Sequence, residues 1–186
     1  TAKAFDAHLV IANDPDADRC AAAINDPATG WRMLRGDELG AIFAESIARK
    51  IDSGIFANSI VSSSIVRKIA AHYKLDFKET LTGFKWLAKI ENLTFGYEEA
   101  LGYAVDAKTV NDKDGISAAI TLAQIATNLA AEGKTILDLL DEVWARHGFH
   151  ATEQISIRLS DLSKIGVILG GLRSNPPKEI AGRSVA

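Results

Sequence analysis

Apolar and polar residues follow two distinct periods along this chain, one typical of strands and one typical of helices. Short apolar or alternating segments predict strands at residues 8–13, 20–26, 58–63, 76–80, 93–97 and 152–160. Apolar positions that recur every three or four residues predict amphipathic helices at residues 37–51, 65–73, 114–131 and 135–147. Because strands and helices exchange regularly, the pattern predicts an α/β sandwich.

Turn residues mark the expected limits of this domain. They interrupt the pattern near residues 30–36 and again near 160–170, where Gly170-Gly171 stands, and both places are predicted seams. Pro176-Pro177 predicts that the chain leaves the domain there. Since Thr1 is not a methionine and lies close to a strand, we expect a piece of a longer protein.

Composition narrows the class of protein. An apolar content of 47% describes a chain that folds around a core, and a net charge of -3 gives no basic surplus for nucleic acid. Cys20 is the single cysteine and cannot form an internal disulfide. The sequence has no apolar run long enough to cross a bilayer. We therefore expect a cytoplasmic protein with neither a nucleic acid nor a membrane as partner.

Three aspartates follow the first predicted strand at alternate positions, Asp14, Asp16 and Asp18, with Arg19 directly after them. Alternate side chains of an extended segment lie on one side, so the three carboxylates can converge. A hard divalent cation relieves their repulsion, and an all-oxygen shell suits magnesium or calcium rather than zinc. The alternative is turn chemistry on a solvated loop. Arg19 favours a site that also takes phosphate, because a guanidinium and a metal can share one phosphoryl group.

Two other kinds of acidic loop do not fit the spacing. An EF-hand that starts at Asp14 requires glycine at its sixth position and glutamate at its twelfth, where this chain has Arg19 and Asn25. A phosphatase-type aspartyl nucleophile requires a hydroxyl residue soon after its second aspartate, and this loop has none.

The segment TLTGFKW (80–86) joins a predicted strand to a helix. Its turn exposes the hydroxyl of Thr82, the backbone amides around Gly83 and the amine of Lys85. Such groups can bind a polar ligand, although helix capping and turn formation explain them equally well.

Two later segments carry further candidate residues. FGYEEALGY (95–103) places Glu98 and Glu99 between glycines that allow a tight loop, and adjacent carboxylates of this kind can bind sugar hydroxyls. NDKDGISAA (111–119) places Lys113 just before a helix start, where an amine and helix amides can take an anion. A solvated charged face is the structural alternative for both segments.

Taken in this order, DPDADR, TLTGFKW, FGYEEALGY and KDG resemble the motifs of the α-D-phosphohexomutase superfamily, the phosphoglucomutases and phosphomannomutases. The resemblance runs over nearly the whole chain. It implies an α/β/α sandwich of the phosphohexomutase domain type with a partial neighbouring domain. It also implies an isomerase of carbohydrate metabolism, a phosphoprotein that depends on Mg2+ and shifts a phosphoryl group of a sugar phosphate through a phosphoserine and a bisphosphate intermediate.

The resemblance assigns roles residue by residue. It implies that Mg2+ binds to Asp14, Asp16 and Asp18, and that Arg19 contacts the phosphoserine region. It further implies that the substrate is contacted by Thr82 and Gly83, that Lys113 holds phosphate with Lys85 as a further candidate, and that sugar hydroxyls bind Glu98 and Glu99.

Two departures from the family pattern leave the sugar open. Ala100 stands where hexose-specific relatives often carry a serine, and Ser64 stands where related enzymes often have a basic residue. The resemblance is therefore compatible with a glucose or mannose phosphate mutase, a phosphopentomutase or a glucose 1,6-bisphosphate synthase. A non-catalytic module that binds metal or sugar phosphate is the alternative of another class.

The resemblance also implies how the chain divides. Residues 1–35 are expected to end domain two and to carry the metal loop, 36–160 to form the sugar-binding domain three, and 161–186 to link into domain four. The S/T-x-S-H-N-P loop of domain one and the R-x-S-G-T-E-P loop of domain four are absent from the sequence. We therefore expect the missing domains of the same polypeptide to be partners of this chain, which alone is predicted to be inactive.

Overall fold

The computed structural model describes residues 2–153, 157–180 and 182–185. It divides into two compact units, Thr1–Thr152 and Glu153–Ala186. The strands of the first unit are β1 (Leu9–Asn13), β2 (Cys20–Asp26), β3 (Gly30–Met33), β4 (Ile55–Ser59), β5 (Asp76–Thr80), β6 (Leu93–Glu98) and β7 (Gly102–Ala104). Its helices are α1 (Gly36–Ala48), α2 (Ile65–His72), α3 (Phe84–Leu87), α4 (Gly115–Ala131) and α5 (Ile136–His147).

The first three strands form an antiparallel sheet in the order β1-β2-β3. In the hairpin of β1 and β2, Asn13 pairs with Cys20, so residues 14–19 form the loop that carries the aspartates. The two predicted strands around this loop are confirmed. Turn residues predict a seam near residues 30–36, but the structure has the strand β3 at Gly30–Met33. The turn itself is confined to residues 27–29, because Gly30 already pairs with Asp26.

The second sheet has the order β5-β4-β6-β7. β4 is parallel to β5 and β6, whereas β7 is antiparallel to β6. The strands predicted at 76–80 and 93–97 are confirmed, but the strand predicted at 58–63 is wrong in position. β4 ends at Ser59, and Ile60 and Val61 lie exposed beyond it because the chain has already left the sheet.

Helix α1 lies at the centre of the core, where Leu39, Ile42 and Phe43 are fully buried. It packs against α2, α5 and β6, while α4 covers β1 and β2. All four predicted helices are present, although α1 ends at Ala48 rather than at Ile51. The arrangement confirms the predicted α/β class.

The second unit contains α6 (Ser163–Ser174) and the hairpin of β8 (Glu179–Ile180) with β9 (Arg183–Ser184). The predicted interruption at Gly170-Gly171 is wrong, because α6 runs through both glycines. Residues 154–156 of the strand predicted at 152–160 lie outside the described residues. The described residues on either side of them, 152–153 and 157–160, are not in a strand, so that part of the prediction is wrong.

The predicted division at residue 35 runs through the first compact unit, because residues on both sides of it share one core. The assignment of residues 1–35, 36–160 and 161–186 to successive domains of a longer enzyme stays a prediction. Within the described residues no helix has the length and apolar character that crossing a membrane requires.

Candidate functional site

The loop between β1 and β2 brings its three aspartates together. One carboxylate oxygen each from Asp14, Asp16 and Asp18 lies within 4.8 Å of the others. The backbone N–H of Ala17 donates to the Asp14 carbonyl at 3.0 Å, and Ala17 has a φ of 58°, so the loop is a tight turn. This convergence is the arrangement that a hard divalent cation requires.

The rest of the site holds this loop in place from two sides. The N–H of Cys20 donates to the Leu101 carbonyl at 3.1 Å, and the N–H of Gly115 donates to the Ala17 carbonyl at 3.0 Å. A Cβ atom at position 115 would overlap the carbonyl oxygen of Arg19, so the first residue of α4 must be glycine for the loop to approach. The aspartate loop is thereby held against the start of α4 and the segment before β7.

Cations next to the loop pair with its carboxylates. The Arg19 Nε lies 2.6 Å from an oxygen of Asp14, and the Lys113 amine forms an ion pair with Asp18. Desolvation would raise the pKa of Asp14, but hydrogen bonds from the backbone and the guanidinium of Arg19 outweigh it and hold that pKa below its ordinary value. The hydrogen bond to Asp18 raises the pKa of Lys113. Asp14 and Lys113 are therefore held in their ionised forms.

A cavity of about 250 Å³ opens beside the loop. Its lining contains five of the candidate site residues, Asp16, Asp18, Arg19, Glu98 and Lys113, together with Ala100 and Gly102. The structure thus gathers residues from the β1–β2 loop, the end of β6, the start of β7 and the segment before α4. Carboxylates and cations that face one cavity can bind a metal together with a phosphorylated, hydroxyl-rich ligand.

The turn before α3 reaches this cavity through Glu98. Glu98, which is 9% exposed, accepts a hydrogen bond from the N–H of Gly83 at 2.5 Å. Gly83 has a φ of 114°, a conformation that favours glycine. Thr82 and Lys85 do not line the cavity, and the Lys85 amine lies over the ring of Trp86 at 5.6 Å from its centre.

Glu99 is directed elsewhere and does not line the cavity. Its carboxylate accepts hydrogen bonds from the hydroxyls of Ser59 at 3.2 Å and Ser62 at 2.9 Å. Sequence reasoning missed both serines because both fall within the strand predicted at residues 58–63. The sequence indicates Gly102 only as one of the glycines of FGYEEALGY. In the structure its backbone pairs with that of Arg19 in an isolated β-bridge.

A larger cavity of the first unit has a different lining. It has a volume of about 720 Å³, and among the residues that line it are Ile24, Ala126, Ala130, Ile136 and Leu137. Its lining includes none of the aspartates of the β1–β2 loop. Volume therefore does not identify the site here, whereas the concentration of charged groups does.

Known proteins share sequence similarity with most or all of this chain. Residues 35–147 match the family described as "Phosphoglucomutase/phosphomannomutase, alpha/beta/alpha domain III". A Haemophilus influenzae protein named "Probable phosphomannomutase" is 48% identical over 100% of this chain and 39% of its own length. The phosphopentomutase of Mus musculus is 34% identical over 90% of this chain and 30% of its own length. The chain thus spans well under half the length of these relatives.

Solved structures agree on the fold. A phosphoglucomutase/phosphomannomutase family protein from Burkholderia thailandensis superposes with a TM-score of 0.66 and 16% identity, covering 99% of this chain and 37% of its own. The N-acetylphosphoglucosamine mutase of Aspergillus fumigatus, solved with GlcNAc-6P and magnesium, gives a TM-score of 0.52 with 19% identity over 72% of this chain and 35% of its own. At these identities the likeness concerns the fold alone.

Proposed function

Since the chain belongs to the phosphoglucomutase/phosphomannomutase family, we propose that it is the metal- and sugar-binding core of a Mg2+-dependent, cytoplasmic mutase that interconverts hexose 1-phosphates and hexose 6-phosphates. Glucose and mannose are the proposed sugars. In this proposal residues 1–35 end domain two, 36–160 form domain three and 161–186 lead into domain four. The serine that carries the transferred phosphoryl group then belongs to a part of the polypeptide outside residues 1–186.

The observation that carries the proposal is the cavity of about 250 Å³ beside the aspartate loop. Its lining contains the carboxylates of Asp16 and Asp18, the buried carboxylate of Glu98, and the cations of Arg19 and Lys113. A sugar phosphate presents hydroxyls and a dianion at a spacing of a few ångströms. Carboxylates accept hydrogen bonds from the hydroxyls, and the two cations bind the phosphate.

The donor set of the aspartate loop fits magnesium. Three carboxylate oxygens within 4.8 Å of one another supply hard oxygen ligands and a local charge that a divalent cation neutralises. Asp14, Asp16 and Asp18 would hold the ion, and when bound it would neutralise charge on the phosphoryl group during transfer. Arg19, joined to Asp14, keeps that carboxylate ionised and oriented.

The remaining residues bind and orient the sugar phosphate. Glu98 would accept hydrogen bonds from adjacent sugar hydroxyls, since its place at the end of β6 is fixed by the Gly83 N–H. Lys113 and Arg19 would hold a phosphate at the mouth of the cavity. Transfer breaks the phosphorus–oxygen bond of the phosphoserine and forms one to a sugar hydroxyl. A second transfer from the other position of the bisphosphate restores the phosphoserine.

The test uses the complete polypeptide that carries this chain. It should convert glucose 1-phosphate and mannose 1-phosphate to their 6-phosphates when a hexose bisphosphate activator and Mg2+ are present, with comparable kcat/KM values. Glu98→Gln should lower both values together, by about tenfold, because a carboxylate that binds hydroxyls shared by the two sugars serves both. No turnover of either hexose phosphate would refute the proposal.

Phosphopentomutase activity is the second candidate, favoured by the presence of Ala100 in the cavity lining. A methyl group at that position offers the sugar no hydrogen bond, and a relative 34% identical to this chain carries the name phosphopentomutase. Comparison of ribose 1-phosphate with the two hexose phosphates distinguishes the candidates. A kcat/KM for ribose 1-phosphate far above both hexose values would favour the pentose while leaving the metal loop unaffected.

A further inference from the structure

The loop that follows β6 is fastened on the side that faces away from the cavity. Glu99, the residue after the proposed sugar ligand, accepts hydrogen bonds from the hydroxyls of Ser59 and Ser62. Its own backbone N–H donates to the Ser62 hydroxyl at 3.1 Å, and the two serine hydroxyls lie 2.8 Å apart. Ser59 is fully buried. The Glu99 carboxylate is thus built into the end of β4 rather than into the cavity.

A second set of contacts fixes the serine turn itself. The N–H of Ser63 donates to the Asp37 carboxylate at 2.8 Å, and the Tyr97 hydroxyl donates to the same oxygen at 2.8 Å. Gly36 has no Cβ, and one placed there would overlap the carbonyl oxygen of Glu99. The start of α1, the serine turn and the loop after β6 therefore form one partly buried polar assembly, in which a shift of one part displaces the others.

Adjacent residues at the end of β6 point in opposite directions, as strand geometry requires. Glu98 turns toward Gly83 and the cavity, whereas Glu99 turns toward the serines. The Gly83 N–H holds the Glu98 carboxylate, whereas serine hydroxyls hold that of Glu99, so the two residues have different roles.

We propose that Glu99, held by Ser59 and Ser62, is a positioning residue that fixes Glu98 in the cavity and does not itself contact the sugar. The inference rests on the proposed function, in which Glu98 is the sugar ligand. It goes beyond that function by separating a residue that binds from one that acts through it.

The first test needs no activity and uses this chain as it stands. The Gly83 N–H donates to Glu98, so its NMR resonance and its hydrogen-exchange rate report where the Glu98 carboxylate lies. Glu98→Gln should shift this resonance directly. Glu99→Ala and the milder Ser62→Ala should shift it as well and speed its exchange by up to about tenfold. Ser53→Ala, which changes an exposed serine on another turn, should leave it in place.

A folded Ser62→Ala variant with an unchanged Gly83 resonance would overturn the positioning role. The resonances of Phe43 and Phe56, both fully buried and without a polar group, show whether each variant keeps its core. If Glu99→Ala fails this check, Ser62→Ala and Glu99→Gln decide the matter, since each preserves part of the hydrogen-bonded set.

The second test is kinetic and uses the complete polypeptide. Glu99→Ala should raise KM for glucose 1-phosphate by about tenfold and leave the Mg2+ dependence of turnover unchanged, while the exposed Glu91→Ala serves as the matched control. In a Glu98→Ala background the same change should raise KM by less than about twofold, because Glu99 acts through a ligand that is already gone. Independent effects that multiply would mean that Glu99 contacts the sugar itself and would overturn the inference.

The two arms separate this inference from the proposed function. If the complete wild-type polypeptide turns over no hexose phosphate, the proposed function fails, and the Gly83 resonance still decides whether Glu99 positions Glu98. If turnover is present but the two carboxylates act independently, the proposed function stands and the positioning role fails.

Discussion

At the scale of single residues, the site is organised by pairs of opposite charge. Arg19 holds Asp14 and Lys113 holds Asp18, while Asp16 is the exposed member of the three aspartates. The pKa of Asp14 is lowered mainly through Arg19, against the opposing effect of desolvation, so this carboxylate stays ionised over the physiological range. Ionised oxygens are the form that binds a metal ion.

Asp16→Ala should therefore abolish Mg2+-dependent turnover in the complete polypeptide and leave the fold intact. Loss of one of three carboxylates should weaken Mg2+ binding by about 100-fold or more. Asp52→Ala, which removes an exposed aspartate far along the chain from this loop, is the matched control. Turnover measured against Mg2+ concentration checks the prediction, and equal activity of Asp16→Ala and the parent would contradict the metal assignment.

At position 115 the start of α4 lies against the aspartate loop, close to the carbonyl oxygens of Arg19 and Ala17. Gly115→Ala should destabilise the first unit by about 2–3 kcal/mol, because the added methyl group overlaps the backbone of the aspartate loop. Gly166→Ala provides the control, since a Cβ there meets no atom within 4 Å. Urea unfolding of both variants measures the difference, and a fully stable Gly115→Ala would show that the loop can move away at little cost.

At the scale of elements, α1, α2 and α5 meet around a fully buried carboxylate. The side chain of Glu45 binds Arg49 at 2.9 Å, the Tyr73 hydroxyl at 2.8 Å and His147 at 2.9 Å, and it also pairs with Arg146. Burial would raise the pKa of Glu45, but these hydrogen bonds lower it below its ordinary value. For His147 desolvation is the largest effect and lowers the pKa in spite of Glu45.

Both shifts make the fold less stable in acid. A group whose pKa is lower in the folded state stabilises the fold above its unfolded pKa and loses that contribution as the pH falls. We expect the free energy of unfolding to decline first below the ordinary His147 value of 6.5, and again below the ordinary Glu45 value of 4.5. Urea unfolding between about pH 8 and about pH 3, at intervals of about half a unit, measures both declines. His147→Gln should remove the first decline, whereas the exposed His8→Gln should retain it.

Sequence patterns identify the elements of this fold better than they identify its contacts. The periods of α4 and α5 and the runs of β1, β2 and β6 are local properties, so they can be read from neighbouring residues. The end of β4 could not be read in this way, because Ile60 and Val61 are apolar yet exposed. The hydrogen bonds of Ser59 and Ser62 to Glu99 join residues about forty positions apart in the chain. Only the pairing of β4 with β6 brings these residues together, so neighbouring residues do not predict the contact.

At the scale of the whole molecule, the candidate site is incomplete for a phosphoryl shuttle. The aspartate loop and the Glu98 cavity both belong to the first unit, but the sequence contains no phosphoserine loop of the S/T-x-S-H-N-P type. In the proposed function, a metal site and a sugar site without the nucleophile would bind a substrate but could not transfer its phosphoryl group.

The isolated chain should accordingly show no mutase turnover on glucose 1-phosphate or mannose 1-phosphate, even when a bisphosphate activator and Mg2+ are supplied. A coupled assay that follows formation of the hexose 6-phosphate checks this. The complete polypeptide, assayed beside it at the same concentration, is the positive control. Turnover by the purified 186-residue chain would refute the assignment of the nucleophile to another domain.

The isolated bridge between Arg19 and Gly102 has a consequence for recombination between relatives. The bridge connects the loop of the antiparallel sheet to β7 of the mixed sheet. Two further hydrogen bonds hold the same loop, from the Cys20 N–H to the Leu101 carbonyl and from the Gly115 N–H to the Ala17 carbonyl. A chimaera joined near residue 35 would take the aspartate loop from one parent and the start of α4 from another. A residue larger than glycine at position 115 of the second parent would then overlap the loop of the first. A crossover after residue 152 would transfer the aspartate loop together with the residues that hold it. Hybrid proteins joined there should therefore fold far better than hybrids joined near residue 35.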